Sequence, residues 1–282
     1  MQDRHTMNVE VFKNTEAQCK TKKVLHDAIQ YSTKNQKIYK EKETLEKREE
    51  NRYSKTEIKI SEKRTLEAAQ AYKDKKVCIH NFASATNPGG GVTRGSSAQE
   101  ESLCRCSTLY FNLNTSKCWN DFYNPHRAMN NPIYNDDCIY TPDVVVFKSD
   151  TDVPKTLPEK DWYKVNVITA AAPNLRSRPS NAMNPHAGNK KVSLSRKELL
   201  ELHLQRGRHI LDVAKENQNE VVILGAFGCG AFQNPPDVVA TCYKQLVQEY
   251  DGAFETIEFA IYCSERERNN LEMFKKIIPV SK

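Results

Sequence analysis

The chain has 282 residues, of which 38% are hydrophobic, 28% charged and 9% aromatic, with a formal net charge of +6. That length supports one large domain or two small ones with a real core, and 10 glycines with 12 prolines exclude collagen and Pro/Gly low complexity. The mildly basic balance suits an anionic ligand such as a nucleotide or a phosphate polymer, but no Lys/Arg stripe interleaved with aromatics grips a single strand.

No segment reads as a membrane span. The longest apolar run, Val221 to Leu224 continuing into Gly225 and Ala226, is too short. Met1–Cys19 is polar, with spread charges and no apolar h-region, so no secretory signal is read. Nine cysteines form an odd set and predict reduced thiols in a cytosolic, cytoplasmic protein. Cys104 and Cys106 make a CxC without a second pair at zinc spacing, and the histidines lack ligand spacing, so neither a metal nor a cofactor is expected.

In chain order, Thr21–Tyr31 carries Val24, Leu25, Ala28 and Ile29 at helical spacing. Between Lys37 and Arg64, 17 of 28 residues are charged, around Leu45, Tyr53 and Ile58. Glu41, Glu43, Glu46, Lys47, Glu49 and Glu50 there read as a solvated helix or loop. Ser61–Lys73 reads as a helix with Leu66, Ala69 and Tyr72 on one face and Ser61 as N-cap. From Lys76 the pattern becomes α/β. Strands are predicted at Val77–Phe82, Val165–Ala170, Val221–Leu224 and Phe259–Tyr262, with helices at Leu194–Glu216, Asp237–Tyr250 and Leu271–Ile278. Continuous apolar strand runs imply a sheet covered on both faces, with its ligand at the strand ends. Residues 112–164, rich in Asn, Asp, Pro and Tyr, read as long surface loops or a lid. Two units are expected: a charged, helical extension over residues 1–75, packed on a core over residues 76–282.

Two loops carry chemistry. In the first, Asn87-Pro88 leads into Gly89, Gly90 and Gly91, a turn without Cβ atoms that lets the backbone approach a phosphate or sugar. Gln99, Glu100 and Glu101 follow, in the first turn of a helix capped by Ser96 or Ser97 and facing back to the glycines. First-turn acids also simply complement a helix dipole, and a glycine turn is often only a turn. The second loop, Gly225–Asn234, leaves a strand just before a helix, which makes it a ready anion site. It is neither the dinucleotide fingerprint nor a Walker A loop. Phe227 reads as core or as a face for a sugar or base, and Cys229 as a small buried residue or a reactive thiol.

The GGG-x7-QEE signature, its NFASATNPGGG lead-in, the ITAAAPN segment (Ile168–Asn174) and the GAFGCGAF loop resemble the bacterial-type poly(ADP-ribose) glycohydrolases. The resemblance implies an α/β, macrodomain-like mixed sheet sandwiched by helices, with an N-terminal helical extension. It implies hydrolysis of ribose–ribose O-glycosidic bonds, with poly(ADP-ribose) or ADP-ribosylated macromolecules as substrate. Glu101 is then the catalytic acid and Glu100 orients the ribose. Asn87 meets a ribose hydroxyl, the terminal ribose sits against Gly89, Gly90 and Gly91, and Gln99 belongs to the same site. The diphosphate rests on Gly228, Cys229, Gly230, Ala231 and Phe232, beside Phe227, with Phe232 shaping the floor near the terminal ribose.

The chemistry is coherent: an oxocarbenium-like transition state needs a proton on the departing oxygen. A glutamate is ordinarily ionised at neutral pH, and a helix N-terminus favours that form, so burial, Glu100 or the diphosphate must raise the Glu101 pKa. A monomer without an obligatory protein partner or membrane contact is expected. The competing readings are a non-catalytic ADP-ribose-binding reader and a mono-ADP-ribosyl hydrolase.

Overall fold

The computed structural model describes residues 3–41, 43, 51–181, 185–264 and 267–281. A seven-stranded mixed sheet organises the chain. Its strands are β1 (Lys37–Tyr39), β2 (Glu57–Ser61), β3 (Val77–Phe82), β4 (Cys138–Val146), β5 (Tyr163–Ala170), β6 (Val221–Leu224) and β7 (Thr256–Ala260), in the order β1-β4-β5-β3-β6-β7-β2. β5, β3, β6, β7 and β2 are parallel, and β4 is antiparallel to both β1 and β5. The ends of the five parallel strands therefore open onto one edge.

The helices are α1 (Arg4–Thr21), α2 (Lys23–Lys34), α3 (Thr65–Gln70), α4 (Gln99–Cys106), α5 (Leu109–Leu113), α6 (Ser116–Cys118), α7 (Asn124–Met129), α8 (Arg196–Glu216), α9 (Pro236–Glu249) and α10 (Asn269–Ile277). They cover both sheet faces, as the unbroken apolar strand runs require. On β3, Cys78 packs into the core beneath α8, α9 and α10, while Val77 and Ile79 point to Phe12, Leu66 and Leu103 on the other face. The expected helix–sheet–helix sandwich is present.

Several local readings are corrected. The helix after residue 61 is only Thr65–Gln70, capped at Arg64, and Ser61 ends β2 instead. Its approach is extended because β2 pairs with β7. Lys37–Tyr39 and Glu57–Ser61 are strands rather than solvated helix or loop. Leu45, Glu46, Lys47, Glu49 and Glu50 lie outside the described residues. The stretch read as an extension thus packs α1 on the core and also supplies both edge strands. Residues 112–164 are not mainly loop: they hold α6, a π-helical turn (Trp119–Tyr123), α7, β4 and the start of β5. β4 was hidden by Pro142 and Asp143, where its register shifts against β5 and Asp143 takes a positive φ. The last strand ends at Ala260, leaving Tyr262 half-exposed beyond the sheet.

A buried ion pair fixes the floor of this edge. Arg206 on α8 donates through Nε to Asp136 at 2.7 Å and through a terminal nitrogen to the Ala171 carbonyl at 2.7 Å. Both partners are almost fully enclosed, at 1% and 4% side-chain exposure. Removing one partner strands a buried charge. Arg206→Met should therefore lose about 3–5 kcal/mol, read as a lowered urea midpoint, and adding Asp136→Asn should recover part of it.

Candidate active site

A cavity of about 600 Å³ opens at the ends of the parallel strands. The glycine turn and the start of α4 form one wall, and the loop after β6 forms another. His5 of α1, Arg64 and Tyr262 close the remaining sides.

The first loop is built by steric necessity. Gly90 has φ +58°, and a Cβ there would lie 2.6 Å from Glu101 Oε1 and 3.1 Å from Glu100 Oε2. Only glycine lets the turn press against both carboxyls. The neighbouring Gly91 N–H donates to Glu101 Oε1 at 2.9 Å. Glu101 Oε2 is buried and has no hydrogen-bond partner among the described residues. Glu100 is held differently: its Oε2 accepts from the Ser84 N–H at 2.8 Å and its Oε1 from the Asn81 amide at 3.3 Å.

α4 starts at Gln99 with Ala98 as N-cap, so neither Ser96 nor Ser97 caps it. The Ser96 carbonyl is instead bound by Arg105, which holds the turn against the helix. Gln99 does not aim its amide at the glycines. It bridges the end of β3, accepting from the Phe82 N–H at 2.9 Å and donating to the His80 carbonyl at 2.8 Å. Gln99 thus splices α4 to the end of β3 and still lines the cavity.

Burial dominates the acid–base character of the pair. Desolvation, followed by the Glu101 charge, holds Glu100 well above the usual carboxyl range. Desolvation also raises Glu101, opposed by the Gly91 N–H and by the N–H groups at the helix start. A carboxyl that binds its proton more tightly folded than unfolded stabilises the fold at low pH. That contribution is lost as pH rises from the ordinary value through the folded one. Glu100→Gln should therefore melt at a higher temperature than the parent near pH 8, with the gap closing near about pH 4. With the Asn81 amide turned over, its Oδ1, which has no partner among the described residues, can accept from the new amide. A thermal shift assay across pH checks this.

The second loop carries Gly228 at φ +75°, where a Cβ would collide with Asn234 and Ala172. Asn234 locks the loop by donating to the Pro173 carbonyl at 2.8 Å. Inside the loop, Cys229 and Gln233 donate to loop carbonyls, whereas the N–H groups of Gly228, Gly230, Ala231 and Phe232 have no protein acceptor among the described residues. These are the donors an anion needs. Phe227 is buried at the cavity floor, 4.3 Å from the His80 ring. His80 is packed as an apolar ring, and burial pushes its pKa down to about 3. Burial lifts the Cys229 thiol to about 12, which disfavours the thiolate a reactive cysteine needs.

Of the residues singled out in the sequence, Gly90, Gly91, Gln99, Glu100, Glu101, Phe227, Gly228, Gly230, Ala231 and Phe232 line this one cavity. Gly89 sits just behind, with a positive φ and its N–H aimed at Glu100. Asn87 is not among the lining residues, and its side-chain oxygen accepts from Arg127 at 2.6 Å. Sequence reasoning missed Asn81 and Ser84 as the holders of Glu100, and missed His5, Arg64 and Arg176 on the walls. An Asn inside an otherwise apolar strand was the only local signal for the first of these.

Known proteins resemble this chain in sequence and in fold. The sequence model of the "microbial-type PARG, catalytic domain" matches residues 5–149. The poly(ADP-ribose) glycohydrolase of Thermomonospora curvata, solved with the inhibitor ADP-HPD, is similar at 27% identity and TM-score 0.80, covering 97% of this chain and 99% of that one. The poly(ADP-ribose) glycohydrolase of Deinococcus radiodurans, solved with ADP-ribose, is similar at 31% identity and TM-score 0.74, covering 88% of this chain and 96% of that one. No curated protein sequence matches. Among the described residues no group of His, Cys, Asp or Glu could hold a metal ion, and no helix is long and apolar enough to cross a membrane. With a family match over just over half its length and a likeness of fold over nearly all of it, the chain belongs to the microbial-type poly(ADP-ribose) glycohydrolases, a family of glycoside hydrolases.

Proposed function

We propose that the cavity takes the terminal ADP-ribose unit of poly(ADP-ribose), with Glu101 as the general acid for cleavage of the ribose–ribose bond. The observation that carries this reading is the buried, unpartnered Oε2 of Glu101 in the cavity wall. Its sister oxygen is fixed by Gly91, so Oε2 is the atom left to hold a proton for substrate. Burial raises the pKa of this carboxyl, which favours its protonated form.

The terminal ribose lies against Gly89–Gly91. The free N–H groups of Gly228 and Gly230 to Phe232 hold the diphosphate, and Phe232 shapes the floor beside the terminal ribose. Glu100, braced by Ser84 and Asn81, accepts from or donates to a ribose hydroxyl and sets the sugar's orientation. Asn87 acts through Arg127 and the turn rather than by touching the sugar. The C–O bond at the anomeric carbon breaks as the Glu101 proton passes to the departing ribose oxygen. The Glu101 carboxylate then takes a proton from water, whose oxygen bonds to the anomeric carbon, and ADP-ribose is released. Water and one carboxyl balance the reaction.

Residues 1–75 act as part of the catalytic unit rather than as a separate module, since α1 forms a cavity wall. The working form is a single chain, and nine unpaired cysteines suit a reducing compartment such as the cytoplasm. Labelled polymer incubated with the chain should yield free ADP-ribose. Tight binding without release would instead support a reader.

A further inference from the structure

The chain's positive charge is not evenly spread. Between Leu175 and Lys197 stand six basic residues and no acidic one. Two of them are neutralised locally: Arg196 pairs with Asp237, and Lys197 lies 3.9 Å from Glu201. Arg176, Arg178, Lys190 and Lys191 form no ion pair among the described residues. Arg178, Lys190 and Lys191 are exposed.

The fold sets this segment at the mouth of the cavity. The Leu175 N–H donates to the Phe232 carbonyl at 3.0 Å, joining the segment to the second glycine loop. Arg176 and Asn181 line the cavity on either side of Arg178. The Ser180 hydroxyl donates to the Gly188 carbonyl at 2.8 Å and closes the segment on itself. Arg178 is two residues from Ser180 and Lys190 two from Gly188, so their Cα atoms lie within about 8 Å of that clasp. Asn174 is anchored by its N–H to the Pro132 carbonyl at 2.8 Å. Arg178 and Lys190 thus lie close to the clasp beside the wall that carries Phe232, Lys191 follows Lys190 in the chain, and all three are exposed.

We propose that Arg178, Lys190 and Lys191 form a polymer-tracking subsite that binds the diphosphate of the ADP-ribose unit next to the one being cleaved. This rests on the reading above, in which the terminal ribose sits near Phe232 and the glycine turn. The rest of the polymer then leaves past that wall, and each further unit brings two negative phosphates. The site is electrostatic and reads charge spacing rather than a base.

The test uses the Glu101→Gln chain, so that polymer stays intact, and compares it with the same chain carrying Arg178→Ser, Lys190→Ser and Lys191→Ser. Dissociation constants are measured for long poly(ADP-ribose) and for free ADP-ribose over a salt series. The triple variant should bind polymer about tenfold more weakly at low salt, with the slope of log Kd against log salt reduced by about two. Its ADP-ribose affinity should stay within about twofold, because the cavity residues are untouched. A second triple variant, Lys20→Ser, Lys34→Ser and Lys160→Ser, removes equal charge from exposed positions on α1, on α2 and before β5 and should leave polymer affinity unchanged. Unchanged polymer affinity in the first variant, or equal losses in both, overturns the subsite. Failure of the Glu101 assignment shows separately, as polymer hydrolysis that survives Glu101→Gln.

Discussion

Glu101→Gln is expected to lower polymer hydrolysis by about 10²–10⁴-fold while leaving ADP-ribose binding within a few-fold of the parent. Glutamine has nearly the same shape, and its carbonyl oxygen still accepts from the Gly91 N–H. It cannot release an acidic proton. Because a general acid works only while protonated, the parent's rate falls on the alkaline side as Glu101 ionises. Burial places that limb above the ordinary glutamate range. The residual rate of the variant should lack it. Hydrolysis kept within threefold of the parent (about 0.7 kcal/mol of barrier), or an alkaline limb unchanged by the substitution, would remove Glu101 from the mechanism.

Gly90→Ala is expected to be nearly as damaging, through geometry rather than chemistry. The added methyl meets two carboxyls at once, at 2.6 Å and 3.1 Å, in a turn that needs φ +58°. The turn or the carboxyls must move, and a displacement near 1 Å at a reacting group costs about 10²-fold in rate. The left-handed backbone adds about 1–2 kcal/mol of strain. Gly252→Ala serves as the comparison. It has φ +78° and a Cβ that would lie 2.6 Å from the Tyr53 carbonyl, at the other end of β7. Both variants should melt lower, but only Gly90→Ala should lose kcat. Equal kcat in the two would show that the turn does not position the acid.

Some elements could be read without tertiary information. β3 and β6 fall where their apolar runs predict, and α8, α9 and α10 within two residues of theirs, because strong periodicity and buried strand composition are local properties. α1 could not be read this way. Its buried positions, Asn8, Phe12, Thr15 and Cys19, follow helical spacing but include two polar residues. They are buried because Asn8 binds the Gly95 carbonyl and Thr15 the Arg105 carbonyl, partners 87 and 90 residues away. β1 and β2 are short and sit in a charge-rich stretch. Their strand character comes from pairing with β4 and β7.

By itself the sequence determined the two glycine loops, the paired glutamates and the alternation of strands and helices, since each depends on residue type and near-neighbour spacing. Only the tertiary structure decided which oxygen of Glu101 is left unpartnered, that Gln99 clasps a strand end, and that Asn87 is turned to Arg127. It also folded the basic stretch that carries Arg178 and Lys190 back on itself through Ser180 and Gly188, next to the wall that carries Phe232. The first three follow from burial and hydrogen bonding between groups that are separated along the chain, which leave no local trace in it.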